Sequence, residues 1–96
     1  MEDDVLSDDA KAVAGGWFGF MRPGAGRVTC HMRETKPTAR AQAAIDELVA
    51  AGIVKVSKFN RYGGLVYEPL KDCTEYRRWL AKHPESGKFD MMEPVP

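Results

Sequence analysis

The sequence predicts one small α+β domain with the element order α-β-α-β-β-α and a three-stranded antiparallel sheet. Apolar residues recur at helical spacing in three segments, and one further segment alternates apolar with polar residues. Two runs of strand-forming residues flank a glycine-containing turn. A chain of 96 residues, 44% of them hydrophobic, is sufficient for one modest core. We therefore expect a single domain over residues 1–83 and an irregular C-terminal tail over residues 84–96.

The first helix is predicted to begin at Ser7, which can cap free backbone N–H groups, while Asp8 and Asp9 suit the positive end of the helix. An apolar stripe follows at helical spacing: Ala10, Val13, Ala14, Trp17, Phe18 and Met21. The Gly15-Gly16 pair interrupts it, each glycine costing about 1 kcal/mol relative to alanine. Either another backbone approaches closely there, or the helix ends. We favour a single helix that frays or bends near Gly19.

The alternating segment RVTCHMR, residues 27–33, predicts a half-buried strand, and ETKP, residues 34–37, predicts a short connector. The next helix is the best defined, with Thr38 as its cap and Gly52 at its end. Its apolar face comprises Ala41, Ala44, Ile45, Leu48 and Val49.

IVKVSKF and GLVYEPL flank NRYGG and predict a β-hairpin with a basic tip, because Asn and Gly tolerate the turn geometry that hairpin loops require. Pro69 should end its second strand. A last helix is predicted over roughly residues 73–82, capped by Asp72 or Thr74, with arginine and lysine on its solvent-facing side.

The net charge is zero but unevenly distributed. Residues 22–61 contain eight basic and three acidic side chains, whereas residues 1–21 contain five acidic side chains and one basic. A local positive field of this kind can attract phosphate groups. No signal peptide or membrane span is visible, so we expect a cytoplasmic protein that does not bind membranes. Cys30 and Cys73 are expected to be reduced and to pack as small apolar groups.

The chain carries no enzyme signature, and we predict neither catalysis nor a cofactor. Cys30, His31, Cys73 and His83 lack the spacing of a zinc site, so no metal is expected. The glycine-rich RPGAGR lacks the G-K-[ST] sequence of a phosphate-binding loop.

Residues 38–68 resemble the second half of a winged helix-turn-helix domain, and the resemblance is carried by AAIDELVAAGIVKVSKFNRYGGLVYEP. In that family a recognition helix ends at a glycine and is followed by a strand, a basic wing and a returning strand. The resemblance covers about a third of the chain. It departs from the family before the recognition helix, because residues 34–37 are too few for the usual supporting helix.

The resemblance implies a small DNA-binding regulator of transcription. In such a protein the start of the recognition helix would enter the major groove, where Arg suits guanine and Gln suits adenine. The residues that would face bases are Thr38, Arg40, Gln42 and Ala43. Lys36 would hold phosphate, and Lys58, Asn60 and Arg61 would contact DNA from the wing. A homodimer reading two half-sites would strengthen binding, and the first helix, with Trp17 and Phe18, could carry the dimer contact. Burial in the core is the use that we favour for these two aromatics.

A second hypothesis assigns the chain to another class, a protein that binds a host protein complex. Small phage or mobile-element proteins that block nucleic-acid-handling machinery, anti-CRISPR inhibitors among them, share this size and charge pattern. In that role the acidic residues near the N-terminus would imitate phosphates: Glu2, Asp3, Asp4, Asp8 and Asp9.

Overall fold

The computed structural model describes residues 6–25, 27–29, 35–58 and 65–94. This part of the chain contains three α-helices and two small antiparallel sheets. The predicted mixed α+β class is therefore confirmed. The element order differs from the predicted one. A strand that was not predicted precedes the second helix, and another follows the third helix.

The first helix, α1, spans Asp8–Val13 and continues directly into a π-helical turn at Ala14–Phe18. Ser7 caps α1 by accepting a hydrogen bond from the Ala10 backbone N–H at 3.1 Å. The helix ends one residue before Gly19, close to the predicted bend. Gly15 lies against the third helix, where an added Cβ would be 2.5 Å from the carbonyl oxygen of Tyr76. Of the two explanations for the glycine pair, close backbone approach is observed at Gly15, whereas a Cβ at Gly16 would lie 3.8 Å from its nearest neighbour.

The larger sheet contains β1 (Arg27–Thr29), β3 (Val54–Lys58) and β4 (Leu65–Pro69), in the spatial order β1-β4-β3. Both neighbouring pairs are antiparallel. β4 ends at Pro69 as predicted. The observed β1 covers the start of the predicted strand 27–33; residues 30–34 and the hairpin tip, residues 59–64, lie outside the described part of the chain.

The second helix, α2, spans Ala39–Ala50 and is capped by Thr38, as predicted. Its end follows the Schellman pattern, in which the N–H of Gly52 reaches the carbonyl of Val49 and the N–H of Ile53 reaches that of Leu48. Gly52 has a φ of +75°, which glycine adopts without the steric cost of a side chain. This tight end directs the chain straight into β3.

The smaller sheet pairs β2 (Thr35–Pro37) with β5 (Met92–Pro94), antiparallel and with Lys36 opposite Glu93. The expected connector at 34–37 therefore includes a strand, and the tail expected to be irregular contains another. Three-residue strands are too short to show alternation, and prolines at the strand ends obscure the pattern further. Pairing with a partner far along the chain, rather than local propensity, determines both strands.

The third helix, α3, spans Thr74–Lys82, and a 3-10 turn follows at Pro84–Gly87. The Asp72 carboxylate accepts hydrogen bonds from the backbone N–H of Thr74 at 2.9 Å and from its hydroxyl. These two bonds with Thr74 lower the pKa of Asp72. α3 packs against α1 and the π-helical turn.

The core lies between the helices and the larger sheet and includes the predicted apolar stripes of α1 and α2. Its largest fully buried side chains include Phe18, Ile45, Leu48 and Tyr67. The ring of Trp17 lies 6.2 Å from that of Phe18 and 6.5 Å from that of Tyr67, centroid to centroid. These contacts hold the π-helical turn against the sheet, so both Trp17 and Phe18 serve the interior of the monomer.

Candidate functional site

Two surface regions bear on function: the start of α2 and an exposed aromatic side chain beside α3. We call the first the capped end of α2, comprising Thr38, Ala39 and Arg40 together with the tail residues 89–91 that cross it. We call the second the Phe20 face, comprising Phe20, Arg77 and the clefts on either side of them.

At the capped end, the tail is hydrogen-bonded to the first residues of the helix. The hydroxyl of Thr38 donates to the carbonyl of Asp90 at 2.7 Å, and the N–H of Thr38 donates to the carbonyl of Met91 at 3.1 Å. The same hydroxyl oxygen accepts from the N–H of Ala41 at 3.2 Å. The polar groups of Thr38 are therefore engaged within the protein.

Arg40 forms a two-pronged ion pair with Asp9 on α1. Its Nε lies 2.7 Å from one carboxylate oxygen and its Nη2 lies 2.9 Å from the other. The guanidinium also lies 4.2 Å from the centroid of the Phe89 ring. The hydrogen bonds from Arg40 lower the pKa of Asp9. Contact of Arg40 with a DNA base would require this arrangement to open.

The other residues near α2 that were predicted to contact DNA either bond to groups of the protein or have no polar side chain. Lys36 lies 3.8 Å from Glu93, and the amide nitrogen of Gln42 donates to Asp46 at 3.1 Å. Ala43 is exposed, and Glu47 accepts hydrogen bonds from the backbone N–H and hydroxyl of Ser7. α1 and α2 pack together, and their exposed and half-buried charged side chains are the carboxylates of Asp8, Asp9, Asp46 and Glu47 and the cations of Lys11 and Arg40. This excess of negative charge disfavours phosphate groups.

The predicted wing contacts are only partly visible. Lys58 is the last residue of β3, and its side chain lies outside the described part of the chain, as do Asn60 and Arg61. Lys55 is exposed on the same strand and pairs in register with Glu68. The structure therefore brings Thr38, Arg40 and Lys36 together at one end of α2, without placing the wing tip relative to them.

The Phe20 face is built by the turn that follows the π-helical segment. Phe20 directly follows the buried Gly19 and is 77% exposed, the largest value among the exposed large hydrophobic residues of the described chain. The guanidinium of Arg77, from α3, lies 4.4 Å from the centroid of its ring. Phe20 and Arg77 form a ridge.

A cleft lies on each side of that ridge, and each is lined by both Phe20 and Arg77. The first cleft, of about 320 Å³, runs past Gly19, Arg22, Pro23 and Thr74. The second, of about 390 Å³, has a floor of small and apolar residues: Gly15, Gly16, Leu80, Ala81, Pro84 and Gly87. Both clefts are open to solvent rather than enclosed.

Sequence reasoning did not identify the Phe20 face, although a signal was present. Phe20 falls outside the stripe formed by Ala10, Val13, Ala14, Trp17, Phe18 and Met21, so a large aromatic residue stands on the polar side of a predicted helix. Arg77 was expected only as a solvated residue. Its stacking on Phe20 depends on the packing of α3 against the π-helical turn.

Within the described residues no three potential metal ligands of the His, Cys, Asp or Glu type gather, and no helix is long and apolar enough to cross a membrane. Cys73 is buried, and its Sγ donates to the carbonyl of Lys71 at 3.5 Å. Comparisons with protein-family models, with curated proteins and with solved structures gave no significant match.

Proposed function

We propose that this chain is a non-catalytic protein-binding module that docks on a partner protein through the Phe20 face. The exposure of Phe20 is the observation that carries the proposal. Phenylalanine and arginine are enriched at protein interfaces, and aromatic anchors with arginine supply much of the binding free energy there. Here the two residues are already stacked on each other.

The energetic gain from covering the ring is substantial. Full burial of a phenylalanine side chain is worth about 1.5–3 kcal/mol of hydrophobic free energy before the costs of association. Phe20 retains most of its exposed area in the monomer. A partner that covers this ring gains a large share of that free energy.

The two clefts provide the complementary relief that a docking surface needs. A ridge between hollows lets a partner insert side chains on both sides of Phe20. Gly16, which is exposed and lines the second cleft, adds no side chain to its floor.

The hypothesis that the chain is a small inhibitor of a nucleic-acid-handling complex is one version of this proposal. Its phosphate-imitating carboxylates draw less support, because Asp9 is engaged by Arg40. Asp8 remains exposed. The Phe20 face therefore supports protein binding independently of phosphate imitation.

The direct test is photo-crosslinking in the cells that express the protein, with benzoylphenylalanine placed at position 20. The same residue at Val56, which is 40% exposed and lines neither cleft, is the matched control. We expect a partner protein to crosslink from position 20 and not from 56. The purified partner should then bind the wild type about tenfold or more tightly than Phe20→Ala. Equal binding by Phe20→Ala would contradict the proposal.

Duplex DNA binding is the second candidate. It is favoured by the antiparallel pair β3 and β4, which follows α2 and in which β4 also pairs with the earlier strand β1. A winged helix-turn-helix domain has this helix followed by a hairpin that pairs with an earlier strand, with cations on the wing. Here Lys55 and Lys58 lie on β3. A winged-helix-like core with a regulatory DNA ligand therefore remains a proposal.

A titration with mixed-sequence duplex DNA at low and high salt tests this candidate. Wing binding predicts a salt-dependent complex that Lys58→Ala and Arg61→Ala weaken, because each lost phosphate contact reduces the salt slope by about one. Absence of a complex at low salt would remove the candidate.

A further inference from the structure

We propose that the partner segment bound by the Phe20 face is an acidic peptide that carries one apolar side chain for the second cleft. This inference rests on the proposed protein-binding function and adds the chemistry of the partner. It follows from the charges around the clefts and from the shape of their floors.

Most of the charged side chains that line the clefts are cationic. Among the described residues, the second cleft is lined by Arg77 and Lys88 without an acidic residue, while the first is lined by Arg22 and Arg77 with Asp72 as the acidic member. Asp72 remains an anion, because its hydrogen bonds with Thr74 lower the pKa of its carboxyl, and its charge partly offsets that of Arg77 at the first cleft. A carboxylate-bearing segment therefore meets the clearest complementary charge along the second cleft.

Arg77 is available to a carboxylate ligand. The three ion pairs formed among the described residues do not include it, and its guanidinium contacts the face of the Phe20 ring. A guanidinium stacked on a ring keeps its N–H groups at the edge, where they can form a two-pronged pair with a carboxylate. Lys88 lies 3.0 Å from Glu85, but this pair is exposed and spans adjacent turns, so an incoming carboxylate competes with it readily.

The floor of the second cleft favours an apolar anchor. Leu80, Ala81 and Pro84 present carbon atoms to the cleft. A Cβ added at Gly87 would lie only 3.0 Å from the side chain of Leu80. Burial of one branched or aromatic side chain there is worth about 1.5–3 kcal/mol before association costs. A nucleotide base gains less, because its edge groups find few hydrogen-bonding partners on such a floor.

The test is selection of a random peptide library on the full-length protein, followed by affinity measurements on the enriched peptides. We expect sequences with Asp or Glu flanking one Leu, Ile or Phe. Their affinity should fall with added salt and should fall about tenfold or more in Arg77→Glu. Lys55→Glu, an exposed charge reversal outside both clefts, is the matched control and should change little.

The outcomes separate the two proposals. Peptides that require Phe20 but lack acidic residues, or bind Arg77→Glu equally well, would overturn the acidic-partner inference and leave the proposed function standing. Peptides unaffected by Phe20→Ala, or no enrichment at all, would overturn both. Displacement of the peptides by a single-stranded oligonucleotide that binds more tightly than they do would assign the face to nucleic acid and overturn the acidic-peptide inference.

Discussion

The capped end of α2 and the Phe20 face differ in how their side chains are used. At the capped end, Thr38 and Arg40 have the chemistry expected of a nucleic-acid contact, yet both are bound to other parts of the chain. At the Phe20 face, the side chain of Phe20, for which the sequence predicted no role, is largely exposed to solvent.

The cause of the difference lies in long-range packing. The tail that pairs β5 with β2 carries Phe89, Asp90 and Met91 across the start of α2. No described segment crosses Phe20 in the same way. Residue type alone therefore does not reveal that Thr38 and Arg40 are engaged within the protein.

The largest expected contrast is between the neighbouring aromatics Phe18 and Phe20. Phe18 is fully buried and Phe20 is 77% exposed. Phe18→Ala should lower the free energy of unfolding by about 3–5 kcal/mol, whereas Phe20→Ala should change it by less than about 0.5 kcal/mol. Urea unfolding of both variants measures this. A large loss in Phe20→Ala would mean that the ring is packed and unavailable to a partner.

The next contrast is between Gly15 and Gly16. A Cβ at Gly15 would clash with the backbone of Tyr76, whereas at Gly16 it would lie 3.8 Å from the nearest side-chain atom. Gly15→Ala should destabilise the fold by about 3 kcal/mol through overpacking, while Gly16→Ala should be neutral or slightly stabilising. Denaturant midpoints decide between them. Equal effects would contradict the close packing of the π-helical turn on α3.

A smaller effect is expected at Thr38. Thr38→Ala removes the helix cap and the bond to the Asp90 carbonyl, and should cost about 1–2 kcal/mol, while Thr38→Ser should retain most of the stability. Amide hydrogen exchange at Ala41 and at position 38 should accelerate in Thr38→Ala and not in Thr38→Ser. Unchanged exchange would show that the tail does not hold this end.

The smallest effect concerns pH. The pKa of Asp9 is lowered by its hydrogen bonds with Arg40, so the stabilisation is present above the unfolded-state value of 3.8 and is lost as pH falls through the lower folded-state pKa. Asp9→Asn and Arg40→Gln should each slightly reduce the loss of stability below pH 3.8 relative to the wild type. Thermal unfolding across acidic pH measures this. Wild-type pH dependence in both variants would show that the pair contributes nothing.

The sequence allowed most local structure to be predicted. The stripe from Ala10 to Met21, the cap at Thr38, the stop at Gly52 and the end of β4 at Pro69 all follow from spacing and residue type, and all are observed. Each depends on neighbours a few residues away.

The features that were missed depend on contacts between distant residues. β2 and β5 are too short to carry a periodic pattern, and the stacking of Arg77 on Phe20 requires α3 to pack against the π-helical turn. Arg40 could be recognised as a good DNA ligand from its type, but its pairing with Asp9 depends on α1 lying beside α2.

The most direct test measures the affinity of the crosslinked partner for three proteins: the wild type, Phe20→Ala and Arg40→Ala. Phe20→Ala should weaken binding about tenfold or more, and Arg40→Ala should leave it within about twofold. Undiminished binding by Phe20→Ala together with loss of binding by Arg40→Ala would contradict the account and return the interaction to the start of α2.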